Sequence, residues 1–244
     1  MGKNARYGKE YIDWKDWDKD SFATLSKHDA AIYTATIRKA SASFPPNCSV
    51  LEIGFGNGGF LAYGNKQRWQ ISGTEMNPIL LERANEKGYK VVSALDFDSL
   101  PENKYDLVVA LDVLEHIEQD NIFTFLENVI RLLKDGGTFI ARFPNGDSPF
   151  GRFTQNGDIS HVTTIGSIKA KSFTKKFGAK LIYIGAEAQP LYGGLLCLVH
   201  QLFSMPIRYF MDVLLNLVYS PKKWISFSSP NLLLIFKVEK HISN

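Results

Sequence analysis

The stretch Val50-Leu51-Glu52-Ile53-Gly54-Phe55-Gly56-Asn57-Gly58-Gly59-Phe60-Leu61 constrains this chain more than any other. It reads as a short buried strand, a glycine-rich turn and the start of a helix. Glycines at every second position let the backbone come close to a polar ligand with no Cβ in the way. The helix start behind the turn carries N–H groups without intrahelical partners, and these point at whatever lies in front of them.

The flanking sequence repeats the strand–helix alternation. Strands are expected at 49–53, 69–75, 90–94, 105–111 and 138–143, with helices opening at 60 and 77 and spanning 120–133. Asn77-Pro78 supplies an N-cap followed by Pro at the first helical position. The run at 105–111 is apolar almost throughout, as in a strand buried on both faces. Lys134-Asp135-Gly136-Gly137 reads as a helix stop and turn. This alternation predicts right-handed crossovers and a doubly wound, mostly parallel α/β sheet. A helix at 166–177 and strands at 180–185 and 231–239 complete the pattern, and a helix is expected at 23–43.

Three stretches stand outside it. Residues 1–22 mix Tyr7, Tyr11, Trp14, Trp17 and Phe22 with Lys and Asp, and read either as a flap over the ligand or as an arm pinned to the surface by its aromatics. Residues 144–165 read as a long structureless loop, a length that is usually functional or disordered in a compact domain. Residues 190–229 are dense in Leu, Phe, Tyr and Met and look like two helices broken at Pro206. His200, Gln201, Arg208 and Asp212 exclude a membrane span there. A lid over the site, a helix lying on a membrane surface and ordinary packing all remain open.

Composition sets the bounds. With 244 residues, 45% hydrophobic and 22% charged, the chain suits a single domain over 1–244. A net charge of +3 gives no reason to expect nucleic acid as a partner. Cys48 and Cys197 make neither a disulfide framework nor a metal spacing, so a reducing cytoplasm is expected, possible contact with the inner membrane face coming through 190–229. The first residues carry no apolar leader.

A glycine-rich strand–turn–helix alone fits NAD, FAD, nucleotides or S-adenosylmethionine (SAM). There is no Gly-Lys-Ser/Thr, which disfavours a phosphate cradle. An acid sits inside the first strand, and Glu75 ends the second, placed to accept two ribose hydroxyls. After strand three, Leu95-Asp96-Phe97-Asp98 offers a carboxylate for an exocyclic amine.

On these residues the chain resembles the class I SAM-dependent methyltransferases from about 49 to 143. Glu52 to Gly58 resembles the family's first motif, Glu75 its ribose acid, and Asp96 and Phe97 its adenine pair. Leu111-Asp112-Val113-Leu114-Glu115-His116-Ile117 is similar to its segment after strand four. The resemblance implies SAM as cofactor, a Rossmann-like seven-stranded sheet whose last strand runs antiparallel, and a cofactor site of Glu52, Gly54, Gly56, Gly58, Glu75, Met76, Asp96, Phe97, Leu111 and Asp112. A narrower resemblance, over Tyr11 to Trp17, Arg142 to Arg152 and Gly157 to Thr163, is to bacterial type 23 methyltransferase domains, often associated with surface polysaccharides.

For hydroxyl methylation a proton must be removed. His161 is the expected base, oriented by Asp158 three residues earlier; anchoring of the loop is the other role open to it. Trp14, Arg142, Asn145, Asp147, Arg152 and Gln155 are expected to bind an oxygen-rich acceptor or to hold the loop. The resemblance places Asp112 beside the sulfonium, a structural cap after strand four being the other role open to it, and His116 reads as structural. No His, Asp or Glu cluster has metal spacing, so no metal is expected. An Asn/Asp-Pro-Pro-aromatic motif is absent after strand four, which lowers N-methylation. The function expected is therefore O-methylation of a small or lipid-linked acceptor such as a saccharide hydroxyl. A lipophilic quinone-like or fatty acceptor, or SAM binding without turnover, are the alternatives.

Overall fold

The computed structural model describes residues 8–239. In chain order the elements are α1 Lys9–Trp14, α2 Lys27–Lys39, β1 Ser49–Ile53, α3 Gly59–Lys66, β2 Gln70–Glu75, α4 Pro78–Glu86, β3 Lys90–Ser93, β4 Tyr105–Leu111, α5 Ile122–Leu132, β5 Leu133–Pro144, α6 Gly151–Asn156, α7 Ser167–Lys176, β6 Lys180–Ala186, α8 Leu195–Tyr219 and β7 Asn231–Lys237. Among these residues, seven strands form one sheet in the order β3-β2-β1-β4-β5-β7-β6. Pairs β1–β2, β1–β4, β2–β3 and β4–β5 are parallel, while β7 runs antiparallel to both β5 and β6. This is the mostly parallel α/β sheet expected, with an antiparallel last strand.

The apolar run of β4 is explained by its place at the centre of the sheet. Val108 and Ala110 pack into a core with α5 and α7, while Leu107 and Val109 face the opposite layer, with Phe60 and Tyr63 of α3. Strand β7 alternates in the same way, Leu232, Leu234 and Phe236 on one side and Leu233 and Ile235 on the other. Strand order reverses between β1 and β4, which opens a crevice at their carboxyl ends, where doubly wound folds bind ligands.

Four expectations are corrected. Helix α8 continues through Pro206 instead of breaking there. Pro206 is exposed, and so is Leu202 one turn earlier, whose carbonyl loses its N–H donor. Lys134-Asp135-Gly136-Gly137 is part of β5 and forms a bulge: Tyr105 pairs with Leu133, then the register shifts to Leu107 with Thr138. Gly136 takes φ +71°, and its N–H donates to the Val238 carbonyl. The 144–165 loop contains α6 and is closed by a parallel bridge between Asn145 and Ile165. Helix α2 begins only at Lys27, where Ser26 accepts from the Asp29 N–H.

Candidate active site

The glycine turn is held from two sides. Gly54, Gly56 and Gly58 take φ of +67°, +51° and +76°. At Gly56 a Cβ would also lie 2.9 Å from the Trp17 ring. The N–H groups of these three glycines are engaged within the protein. Gly54 donates to the Thr74 carbonyl at 2.8 Å, Gly56 to Glu75 Oε2 at 3.0 Å and Gly58 to the Phe55 carbonyl at 2.8 Å. What the turn offers a ligand is close approach.

Glu75 is half-buried and accepts from three backbone N–H groups, those of Gly56, Met76 and Asn77. Burial raises its carboxyl above the ordinary range, and these donors oppose the rise. The end of β2 is thereby tied to the glycine turn.

Residues 8–23 lie across this turn. The Ala23 N–H donates to the Asn57 carbonyl, Asn57 Nδ2 to Ser21 Oγ, and Arg83 to the Trp17 carbonyl. Tyr11, Trp14, Lys15 and Trp17 line the same cavity as the turn. Residues 1–7 of the expected flap lie outside the described residues.

The cavity measures about 930 Å³, at the upper end of small-molecule sites. Of the residues expected at a cofactor, Glu52, Gly54, Gly56, Glu75, Met76, Phe97, Leu111 and Asp112 line it. Gly58 caps α3 beside it. Asp96 departs from expectation: the 3-10 turn Ala94–Ser99 leaves it exposed and off the cavity wall, while Ala94 and Phe97 line the wall.

Glu52 is buried, with Oε2 lacking a hydrogen-bond partner. Burial pushes its carboxyl well above the ordinary value of 4.5, the Glu75 charge adds to this, and the Leu61 N–H opposes it. The folded state therefore holds this proton more tightly than the unfolded one. That contribution is fully present below pH 4.5 and is lost as pH rises through the folded value. Glu52→Gln cannot ionise. Without ligand it should melt above the parent in alkaline buffer, the gap closing as pH falls toward 4.5. Each kcal/mol shifts the midpoint of a domain this size by roughly 2–4 °C. Thermal melts across pH check this, and a gap independent of pH would refute it.

The opposite wall is built by the segment after β4. Asp112 holds φ +58°, strained for a residue with a Cβ. It is clamped there by Arg142, whose guanidinium makes a two-pronged bond to its carboxylate and whose carbonyl accepts the Asp112 N–H. Arg142 also donates to Glu187 at 2.9 Å. Burial works against the Arg142 charge, but Asp112 and Glu187 outweigh it and hold the guanidinium firmly protonated.

From Asp112 the chain turns through Leu114–His116 and meets residues 158–163. The Glu115 carbonyl accepts from both Val162 and Thr163 N–H groups. Asp158 and His161 thus arrive in the cavity beside Glu115 and His116. His161 Nε2 lies 3.7 Å from Asp158 and 3.8 Å from Glu115, and its Nδ1 is 3.2 Å from the Gln155 carbonyl. Asp158 is fixed by Ser160 and by Lys15 at 3.0 Å; despite its burial, bonds from Ser160 and Lys15 hold its carboxyl below the ordinary range.

The expected acceptor residues divide. Trp14 and Arg142 line the cavity. Asn145 is buried and used up: its Nδ2 donates to the Ser226 and Ser229 carbonyls, and its Oδ1 accepts from Asp147 N–H. Asp147 accepts from the Ser167 N–H and so caps α7. Arg152 is exposed and off the wall. Gln155 reaches the site only through its carbonyl. Asn145 and Asp147 hold the loop, and all four come from a polar stretch in which anchors and ligand contacts look alike in sequence. Conversely, Glu115 and Lys15 carry no sequence signal that sets them apart: Glu115 stands beside Asp112 and His116 in 111–117, and Lys15 among the Lys and Asp of 8–22.

Residues 51–139 match the family model described as a methyltransferase domain. Among solved structures, the fold is similar to a SAM-dependent methyltransferase from Archaeoglobus fulgidus, with TM-score 0.64 and 16% identity over 94% of this chain and 100% of that one. It is similar to a SAM-dependent methyltransferase from Mesorhizobium loti, TM-score 0.58 and 16% identity over 85% and 98%. It is also similar to the [4+2]-cyclase SpnF, TM-score 0.54 and 16% identity over 89% and 84%. No curated protein matches the sequence.

Proposed function

We propose, on the premise of the methyltransferase domain that spans residues 51–139, that this protein is a SAM-dependent methyltransferase acting on a hydroxyl of a small or lipid-linked acceptor, such as a saccharide. A cyclase shares the fold, so the reading rests on the site and not on the architecture. The observation that carries it is the single cavity with two unlike walls: the glycine turn with Glu75 on one side, and the Asp158–His161–Glu115 cluster on the other.

The residues fit the cofactor. The backbone comes close where only glycine is tolerated, a buried carboxylate oxygen of Glu52 is unpartnered, and an aromatic wall at Phe97 stands near Ala94. Glu75 would hold the ribose, Phe97 the adenine face, and Leu111 with Met76 the apolar middle. SAM supplies an electrophilic methyl group on a sulfonium. The protein orients the acceptor oxygen and removes its proton. That task falls to the His161–Asp158 pair: the Gln155 carbonyl holds Nδ1, which leaves Nε2 to face the carboxylates. Transfer of labelled methyl from SAM to saccharides and nucleotide-sugars tests the reading. Label on hydroxyl oxygen is expected; label found only on carbon or nitrogen would overturn it.

One observation favours an acceptor held at a membrane face. Helix α8 is turned inside out: its buried residues are the polar Asp212 and Asn216. These bind the 225–228 segment, Asp212 through Ser228 and Asn216 through Ile225. Leu195, Leu196, Leu202, Phe203, Ile207, Phe210, Leu217 and Val218 are left exposed. Lys222 and Lys223 are exposed just after the helix ends, Tyr209 stacks with Trp224, and the only acid in 190–229 is the buried Asp212. An apolar stripe followed by lysines suits an anionic lipid surface. Among the described residues no helix is long and apolar enough to cross a membrane. The protein should float with anionic vesicles. Phe203→Ser with Leu217→Ser should weaken this at least about a hundredfold, since each buried side chain contributes about 1.5–3 kcal/mol. Absence of flotation, or self-association in its place, would remove the idea.

A further inference from the structure

We propose that Glu115, His116 and His161 hold a divalent transition-metal ion facing the cavity, a site of two imidazoles and one carboxylate. These residues have no recognisable metal-ligand spacing in the sequence. The fold brings them together: one nitrogen or oxygen from each lies within 4.8 Å of the others. His161 Nε2 is already 3.8 Å from Glu115 Oε1, and the imidazole centroids are 4.7 Å apart.

Three independent features point to a cation. First, Glu115 is 1% exposed, and neither of its carboxylate oxygens has a hydrogen-bond partner among the described residues. A carboxylate left bare in the interior requires a counter-charge or a proton. Second, both histidines are tied at Nδ1 to a backbone carbonyl, His161 to Gln155 at 3.2 Å and His116 to Ser160 at 3.3 Å. Donation from Nδ1–H fixes the tautomer that leaves Nε2 with its lone pair, the outer-shell arrangement of metal-ligating histidines. Third, the charges nearby are already committed. Lys15 is bonded to Asp158, and Arg142 to Asp112 and Glu187, so Glu115 is left without a cation of its own.

Ligands about 2.0–2.1 Å from a tetrahedral ion are about 3.4 Å from one another, so side-chain rotations of about an ångström close the site. Imidazole with a single carboxylate suits zinc or iron over magnesium or calcium. Three protein ligands leave positions open toward the cavity, where a hydroxyl-bearing acceptor would bind and its proton become more acidic. His161 then acts as a ligand, and Asp158 is left as the proton acceptor. This consequence rests on the methyl-transfer reading; binding of the ion does not.

Titration of the full chain with Co²⁺ in the absence of SAM, followed by Zn²⁺ displacement, tests the site. A ligand-field absorption saturating at one equivalent is expected. Glu115→Gln, His116→Ala and His161→Ala should each weaken binding by more than the roughly 10–100-fold that loss of an outer-shell partner costs. His200→Ala should leave it unchanged. Melting curves identify any variant that fails to fold; His116, which is not fully buried, gives the safest one. No saturable signal, or a signal that survives all three folded variants, would overturn the site and leave Glu115 as a neutral buried acid. A cobalt signal without SAM binding would instead sink the methyl-transfer reading and keep the site.

Discussion

Glu75→Ala should lower SAM affinity by about 10²–10⁴-fold in isothermal titration. Two hydrogen bonds to a charged acceptor are worth about 1.5–3 kcal/mol each, and each 1.4 kcal/mol is tenfold. The same carboxylate accepts the N–H groups of Gly56, Met76 and Asn77, so its removal also loosens the glycine turn. A stability loss of about 1–3 kcal/mol should accompany the lost affinity. Glu75→Gln separates the two effects. It keeps the shape and one accepting oxygen, so its melting point should fall less while affinity still drops. Wild-type affinity in a folded Glu75→Ala protein would mean that the ribose is held elsewhere.

His161→Ala should cut kcat by about 10²–10⁴-fold, the range of general acid–base contributions, and leave the SAM dissociation constant within a few-fold. Its ring stands on the acceptor wall among Asp158, Glu115 and His116, away from Glu75 and the turn. A loop anchor would behave differently: it would lower the melting point and both kinetic constants together. Asp158→Asn should lower kcat as well, and should cost more in stability than His161→Ala. Its carboxylate anchors Ser160 and Lys15, and through Lys15 it joins residues 8–23 to the loop. Turnover near wild type in His161→Ala would remove His161 from the chemistry.

Legibility in the sequence followed how local the determining physics was. The β4 run was readable because burial on both faces demands an unbroken apolar strand, and its limits agree with the structure. The Asn77-Pro78 helix start was readable because capping needs only adjacent residues, and Asn77 does accept from the Ile79 N–H. Residues 134–137 misled for the converse reason. A turn-forming pair of glycines also suits a bulge, and only pairing with β4 and β7 decides between them. For Asn145 and Asp147 the sequence left two roles open, because a polar side chain in a loop can as well satisfy backbone as ligand. The carbonyls and N–H groups that claim them belong to residues 226–229 and 167.

The sequence by itself determined the doubly wound sheet, the place of the crevice and one wall of the cavity. Those depend on periodicity, glycine and short-range capping, which act over a few neighbouring residues. The tertiary structure decided the other wall. It brought His161 beside Glu115 and His116, tied Lys15 to Asp158, and turned the apolar face of α8 outward by burying Asp212 and Asn216. Such juxtapositions depend on how a packed sheet closes distant segments on one another. A buried carboxylate without a partner is visible only once that packing has excluded the water that would otherwise solvate it.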